Sequence, residues 1–358
     1  MESTGFSQWP DTLGFGALGD EALVERFGDV VRQEYRAVGI HMALSPQADL
    51  ATSPRWPRID GTFGNDPAMV RRLVGAYVRG IQGGRSEAGR PSSLGASSVA
   101  AVVQHWVGYG ASRDGFDGHN WYGRYSAFPS GKLNEHIEAF LDAFAVGVSG
   151  VMPTYNILED VVLDGEPLEA VGAGFSKQLL IDLLRGVYGY QGVILSDWGI
   201  TRDMSESCRS GVPVQTPEFI AMPWGVEELS HVEKFAKTIN AGVDQIGGEN
   251  DPGPIVEAVG LGLVSLARID DAVRRILIQK FELGLFDNPF VEASAAVGRL
   301  PFPLPASHGR CPSSTLRRHK REHQTPLCPL LLGLRGADRR REERWAETTS
   351  SRCSDEPS

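Results

Sequence analysis

Apolar positions along the chain follow two alternating patterns. From Asp20 to Val38, Leu23, Val24, Phe27, Val30, Val31 and Tyr35 fall on one helical stripe. Asp20 is placed to cap that helix and Gly39 to end it. Ile40–Leu44 then reads as a short strand, Met69–Ile81 as a second helix, and Ser98–Tyr109 as a segment whose strand ends at Gln104-His105. Leu133–Phe144 is predicted as a helix with Ile137, Phe140, Leu141 and Phe144 inward; the next strand ends at Met152-Pro153-Thr154-Tyr155-Asn156. A helix over Gly174–Leu184 leads into a strand ending at Asp197. Beyond it come a helix near Val232–Ile239, a short strand Val243–Ile246, and helices Ile255–Leu261 and Ser265–Phe281, the last capped by Ser265.

Strands alternating with helices predict a parallel sheet, and polar residues at successive strand ends favour a (β/α)8 TIM-like barrel over an open doubly wound sheet. Three stretches are expected: an extension over 1–11, the barrel over 12–290, and a basic, proline-rich tail of low order over 291–358. The tail mixes proline clusters with runs such as Arg317-Arg318-His319-Lys320-Arg321, and no amphipathic period survives in it. It reads as non-native or unstructured sequence rather than as a basic anchor.

Composition removes several functions. Of 358 residues, 41% are apolar, enough for a sizeable core, and the net charge of −10 gives no electrostatic reason to expect nucleic acid. Cys208, Cys311, Cys328 and Cys353 show neither zinc-knuckle nor disulfide-framework spacing. No apolar run reaches membrane-spanning length, and Met1–Pro10 lacks a signal peptide's basic and apolar regions. The cytoplasm is therefore the default compartment and no membrane partner is expected. No HExxH, Walker-A or GxSxG pattern occurs. Gly14-Phe15-Gly16-Ala17-Leu18-Gly19 matches GxGxxG, with Glu34 further on, but a dinucleotide fingerprint needs a buried strand before it. Ser7-Gln8-Trp9-Pro10-Asp11 is polar and broken by proline.

The chemistry concentrates at strand ends. Gly192-Val193-Ile194-Leu195-Ser196-Asp197-Trp198-Gly199 closes an apolar strand on a carboxylate flanked by a hydroxyl and an indole. A carboxylate can attack or steady a cationic sugar carbon, and an aromatic ring stacks on a sugar's C–H face. Arg58, Gln104-His105 and Tyr155 hold comparable places. Each has a plainer reading: Asp197 as a helix cap, Arg58 as a surface ion pair, His105 as a core histidine and Tyr155 as packing. His119 and Arg124, in Asp117-Gly118-His119-Asn120-Trp121-Tyr122-Gly123-Arg124, are expected to shape the loop rim.

Taken in order, these motifs resemble the N-terminal barrel domain of glycoside hydrolase family 3, the β-glucosidase group. The resemblance runs over about residues 10–290. It is carried by Ser45-Pro46, Ser53-Pro54-Arg55-Trp56-Pro57-Arg58, Thr62-Phe63-Gly64-Asn65-Asp66-Pro67, Gln104-His105-Trp106-Val107-Gly108-Tyr109-Gly110, Met152-Pro153-Thr154-Tyr155-Asn156, Leu195-Ser196-Asp197-Trp198 and Lys280-Phe281-Glu282-Leu283-Gly284-Leu285-Phe286. It implies a retaining exo-β-glycosidase that removes terminal glucosyl units from an oligosaccharide or aryl β-glycoside by double displacement. Asp197 would be the nucleophile, Trp198 a wall of the sugar subsite, and Arg58, Gln104, His105 and Tyr155 substrate contacts. No metal or organic cofactor is implied. Family members are often periplasmic or secreted.

Three departures qualify the resemblance. The family usually has Lys where this chain has Gln104, so a charge-assisted bond gives way to a neutral one. Nothing before Thr12 resembles the family's opening strand, so the barrel is expected to lack it. The general acid/base usually comes from the domain after the barrel, and none can be named in this chain. The competing expectation is a catalytically impaired carbohydrate-binding fragment of such an enzyme.

Overall fold

A computed structural model describes residues 5–83, 94–212 and 220–296. The chain divides into two units, Met1–Pro303 and Leu304–Ser358, and all the described residues belong to the first. The tail expected over 291–358 lies outside the described residues except for 291–296, where Ala293–Ala296 forms a 3-10 turn.

In chain order the helices are α1 Thr12–Leu18, α2 Glu21–Ala37, α3 Pro67–Gln82, α4 Leu133–Glu138, α5 Leu141–Ala145, α6 Glu206–Ser210, α7 His231–Ala241, α8 Gly253–Gly260 and α9 Leu266–Glu282. The strands are β1 Met42–Ala43, β2 Ala100–Trp106, β3 Tyr125–Ala127, β4 Gly150–Pro153, β5 Ile157–Glu159, β6 Val162–Leu163, β7 Glu166–Pro167 and β8 Val193–Ile194. The main sheet has the order β1-β2-β4-β8 and every pairing in it is parallel. A parallel bridge from Leu195 to Gln245 adds a fifth place to the arc. Helices lie between successive strands, so the expected parallel α/β architecture is the one observed. β3 pairs with β5, and β6 with β7, in the excursions beyond β2 and β4.

The helix starts follow capping chemistry. Asp20 accepts from Leu23 N, Asp66 from Met69 N with Pro67 in the first turn, and Ser265 from Arg268 N. Ser230 and Glu233 form a reciprocal capping box at the start of α7.

Several elements depart from the periodic reading. Leu133–Phe144 is two short helices, α4 and α5, rather than one. The predicted helix Gly174–Leu184 is a 3-10 turn Ala173–Phe175 followed by a π-helical stretch Gln178–Val187. Val243–Ile246 contributes only the bridge at Gln245. The GxGxxG run is not a phosphate loop: Gly14 and Gly16 lie inside α1, and Gly19 closes it with φ of 64°. A Cβ on Gly16 would sit 2.0 Å from the Phe63 carbonyl oxygen, so packing demands that glycine. Residues 5–11 are docked on the body, with Ser7 N donating to the Glu34 carboxylate and Trp9 packing on Phe15 and Phe27.

Two features stiffen the scaffold beneath the strand ends. The Asp244 side chain is fully buried and accepts from Arg185, Arg268 and the Ile194 amide, which ties the π-helical stretch and α9 to β8. Truncating such a buried carboxylate would leave its guanidinium partners uncompensated. α2 and α3 meet backbone to backbone at Gly28 and Gly80: a Cβ on Gly80 would lie 2.1 Å from the Glu25 carbonyl oxygen, and one on Gly28 2.7 Å from that of Tyr77. A cleft of about 490 Å³ lies at the opposite end of the strands, between the loops entering β4 and β8 and α9. None of the expected sugar contacts lines it.

The crossing at Gly80 sets a test. Gly-to-Ala normally favours a helix by about 1 kcal/mol, but here the new methyl meets a backbone carbonyl that cannot rotate away. Gly80→Ala is expected to destabilise the chain by about 1–3 kcal/mol in urea unfolding, the range for overpacking; a gain in stability would contradict this crossing.

Candidate active site

The site is assembled at the C-terminal ends of the main strands. Beyond β1 the chain runs beside the end of β2: Gln104 N donates to Pro46 O at 3.0 Å, and Ala48 N to Gln104 O at 2.6 Å. This pairing delivers Asp49 to His105. Asp49 is fully buried; its Oδ2 lies 2.8 Å from His105 Nδ1, and its Oδ1 accepts the His105 amide at 3.3 Å. The peptide bonds Ser45–Pro46, Gln104–His105 and Trp106–Val107 are cis, and β2 shifts register between Gln104 and Trp106. Trp106 packs in the core with its indole N–H on Leu179 O.

Asp49 accepts only, so the His105 proton facing it sits on Nδ1 and Nε2 is left for another partner. Nε2 lies 3.7 Å from Asp197 Oδ2. That is too long for a hydrogen bond and leaves the two groups in direct proximity. The Asp197 side chain is 12% exposed, so it is accessible yet mostly shielded from water. Its Oδ1 accepts the Trp198 amide at 2.7 Å, which fixes the carboxylate plane.

Trp198 is 41% exposed. Its indole lies against Gly247 and Gly248: a Cβ on Gly248 would stand 2.3 Å from indole Cδ1, and one on Gly247 2.8 Å from Cε3. Side chains there would push the ring off its seat. Tyr155 is buried, and its hydroxyl donates to Trp198 O at 3.0 Å. Burial first, and then the neighbouring Asp197 carboxylate, raises the Tyr155 phenol well above its ordinary pKa. The phenol therefore stays a neutral donor.

Tyr109 is the hub that sequence reading missed. Its ring carries the Arg58 guanidinium at 5.4 Å and meets His105 edge-on at 4.9 Å, Trp56 at 5.1 Å and Tyr155 at 6.4 Å. Its hydroxyl donates to Asp117 Oδ1 at 2.5 Å. Arg58 is half-buried; burial lowers its pKa, but Tyr109, Asp49, Asp197 and Asp117 outweigh it, so the net shift is upward and the cation is secure. Gln104 is also half-buried, and its side-chain amide has no hydrogen-bond partner among the described residues.

The structure thus brings His105, Asp197, Tyr155 and Trp198 into direct succession and joins Arg58 to them through Tyr109. Gln104 is adjacent but unlinked. Asp49, Tyr109, Asp117 and the Gly247-Gly248 pair were not singled out from sequence. Asp49 lay three residues beyond Pro46 with no periodic signal, whereas Gly-Gly directly after a predicted strand was a usable hint of close approach.

The chain belongs to glycosyl hydrolase family 3: the family's N-terminal domain profile matches residues 2–278. It is 55% identical over 298 residues to a protein of Dickeya chrysanthemi called periplasmic beta-glucosidase/beta-xylosidase, covering 82% of this chain and 45% of that one. It is 43% identical to beta-glucosidase C of Emericella nidulans, over 81% of this chain and 44% of the relative. Among solved structures, a β-glucosidase from Erythrobacter marinus superposes with a TM-score of 0.67 at 26% identity, covering 84% of this chain and 35% of that one. A Listeria innocua β-glucosidase in complex with glucose gives 0.61 at 26% identity, over 80% and 35%. The chain spans less than half the length of these relatives.

Behind Asp49, burial lowers the pKa of His136 to about 4, against smaller opposite effects of Asp49 and Glu135. His136 is therefore neutral in the folded chain and takes up a proton on unfolding. Its contribution to stability is complete above the unfolded value of about 6.5 and is lost as pH falls towards 4. Urea unfolding at pH 7, 5.5 and 4 is expected to show that decline. His136→Phe should flatten it, and an unchanged slope would contradict the burial of a neutral ring.

Proposed function

We propose that the chain carries the glycone-binding and nucleophilic half of a retaining exo-β-glycosidase acting on terminal non-reducing β-D-glucosyl units. The observation that carries this reading is the Asp197 carboxylate, 12% exposed, 3.7 Å from His105 Nε2 and next to an exposed indole. The domain proposed for this role is residues 12–290.

In this mechanism one oxygen of Asp197 bonds to the anomeric carbon as the bond to the leaving oxygen breaks, giving a glycosyl ester. Water then opens that ester from the opposite face, so configuration is retained overall. His105, held by Asp49, presents Nε2 to a sugar hydroxyl; it accepts as a neutral ring and donates as an imidazolium. Arg58 donates to hydroxyls on the far side of Tyr109. These contacts strengthen as charge develops on the ring and sit in a largely water-excluded setting. Trp198 provides the apolar wall, and Tyr155 supports it from below. Gln104 offers a neutral amide to the same sugar. The proton for the leaving oxygen comes from outside residues 12–290, as the family resemblance implies.

β-Glucosides are the substrate proposed, because the names of the relatives share that activity. No helix of the described residues is long and apolar enough to cross a membrane. The name of the Dickeya relative assigns that protein to the periplasm, and the same compartment is proposed for this chain. A second reading, an impaired carbohydrate-binding fragment, is favoured by one observation: a neutral amide, Gln104, in place of the family's lysine.

A 2-fluoro-β-glucoside with a dinitrophenyl leaving group needs little protonation and tests the first reading directly. Covalent mass addition at Asp197 is expected. Asp197→Asn should lower nitrophenyl glucoside turnover by more than about 10³-fold, in keeping with removal of a nucleophile. Labelling of another residue would refute the assignment, and sugar binding without turnover would select the fragment reading. Gln104→Lys is expected to raise kcat/KM by about tenfold through a charge-assisted bond; no gain would remove Gln104 from the subsite.

A further inference from the structure

We propose that His119 is a sugar-reading residue of this cleft, with its Nε2 accepting a hydrogen bond from one hydroxyl of the glucosyl unit held at Asp197. This rests on the glycosidase reading and adds to it a specificity-determining contact.

Asp117 and His119 stand two residues apart in the loop beyond β2. The His119 amide donates to Asp117 Oδ1 at 3.2 Å, and its Nδ1 lies 2.7 Å from the same oxygen. Tyr109 places its hydroxyl 3.1 Å from that nitrogen and donates to the same carboxylate. Burial raises the pKa of Asp117. Hydrogen bonds from the His119 ring, the Tyr109 hydroxyl and the His119 amide outweigh burial and hold it well below the usual carboxylate range. An ionised carboxylate only accepts, so the proton between them resides on Nδ1. That fixes the tautomer: in the neutral ring, Nε2 is an acceptor.

Nε2 has no partner among the described residues, and the side chain is 30% exposed. The imidazole stands edge-on to Tyr155 with ring centroids 4.8 Å apart. Tyr155 in turn bonds the backbone of Trp198, beside Asp197. An oriented acceptor with one nitrogen committed and the other open is thus placed one ring away from the candidate nucleophile. Arg124, in the same loop, is differently engaged. Its guanidinium lies 3.6 Å over Trp121 and 4.4 Å over Tyr125 and bonds Trp121 O, so it braces the rim. Of the two, His119 presents the open acceptor, while the Arg124 guanidinium is stacked on the rim aromatics.

A donor–acceptor pair of this kind contributes a modest, hydroxyl-specific increment, about three- to tenfold in affinity. The test is an NMR titration of the full 358-residue chain with methyl β-glucoside, its 2-, 3-, 4- and 6-deoxy analogues and methyl β-xyloside. The wild type is compared with His119→Ala and His119→Gln. His119→Ala is expected to weaken the parent glucoside by about three- to tenfold and to leave the affinity of one deoxy analogue unchanged. That analogue names the hydroxyl read. His119→Gln, whose amide oxygen also accepts, should recover part of the loss. An equal loss on every sugar would mean that His119 only braces Tyr109 and Asp117, and would overturn the proposal, as would no loss at all. A wild-type chain that binds none of these sugars would overturn the glycosidase reading itself.

Discussion

A buried carboxylate with nowhere else to bond holds the site together. Asp49 has no exposed side-chain surface, so its charge must be met inside the protein or the fold pays several kcal/mol. It is met twice by one residue, through the His105 amide and Nδ1. Because Asp49 follows β1 and His105 is the penultimate residue of β2, the pair locks two neighbouring strand ends and aims Nε2 at Asp197, beyond β8. Three residues far apart in sequence thereby stand in one line, Asp49 bonded to His105 and Asp197 3.7 Å beyond Nε2.

Around that line, the remaining contacts serve orientation rather than bulk stability. Tyr109 gathers Arg58, His105 and Tyr155 on one ring, with its hydroxyl anchored by Asp117. The Trp198 indole rests on backbone at Gly247 and Gly248, where no side chain stands between the ring and the chain. The backbone is equally exacting at Gly110, where a Cβ would fall 1.8 Å from Leu50 O, next to Asp49 in the chain. A rigid scaffold with an accessible carboxylate at its mouth is what preorganised charge stabilisation requires.

Much of this was legible in sequence. Polar residues at the ends of apolar strands marked His105, Tyr155 and Asp197, because a strand buried on both faces has few other places for them. Helix caps at Asp20 and Ser265 were readable for the same local reason. What escaped were relations set only by three-dimensional approach. Asp49, Tyr109 and Asp117 sit in loops without periodicity, and their roles depend on which strand end they reach. The break between α4 and α5 and the π-helical stretch at Gln178–Val187 follow tertiary packing, which overrides a continuous apolar stripe. GxGxxG, set aside in the sequence for want of a buried strand before it, answers at Gly16 to helix packing on Phe63 and not to a phosphate.

The central claim is that Asp197 is placed to bond an anomeric carbon while His105, tethered by Asp49, holds the same sugar. A crystal structure of this chain with glucose bound tests it most directly. The account expects C1 about 3–3.5 Å from an Asp197 carboxylate oxygen, a near-attack distance, with His105 Nε2 on a hydroxyl of that ring and Trp198 against its C–H face. Glucose bound with its anomeric carbon turned away from Asp197, or in the cleft at the opposite end of the strands, would contradict it.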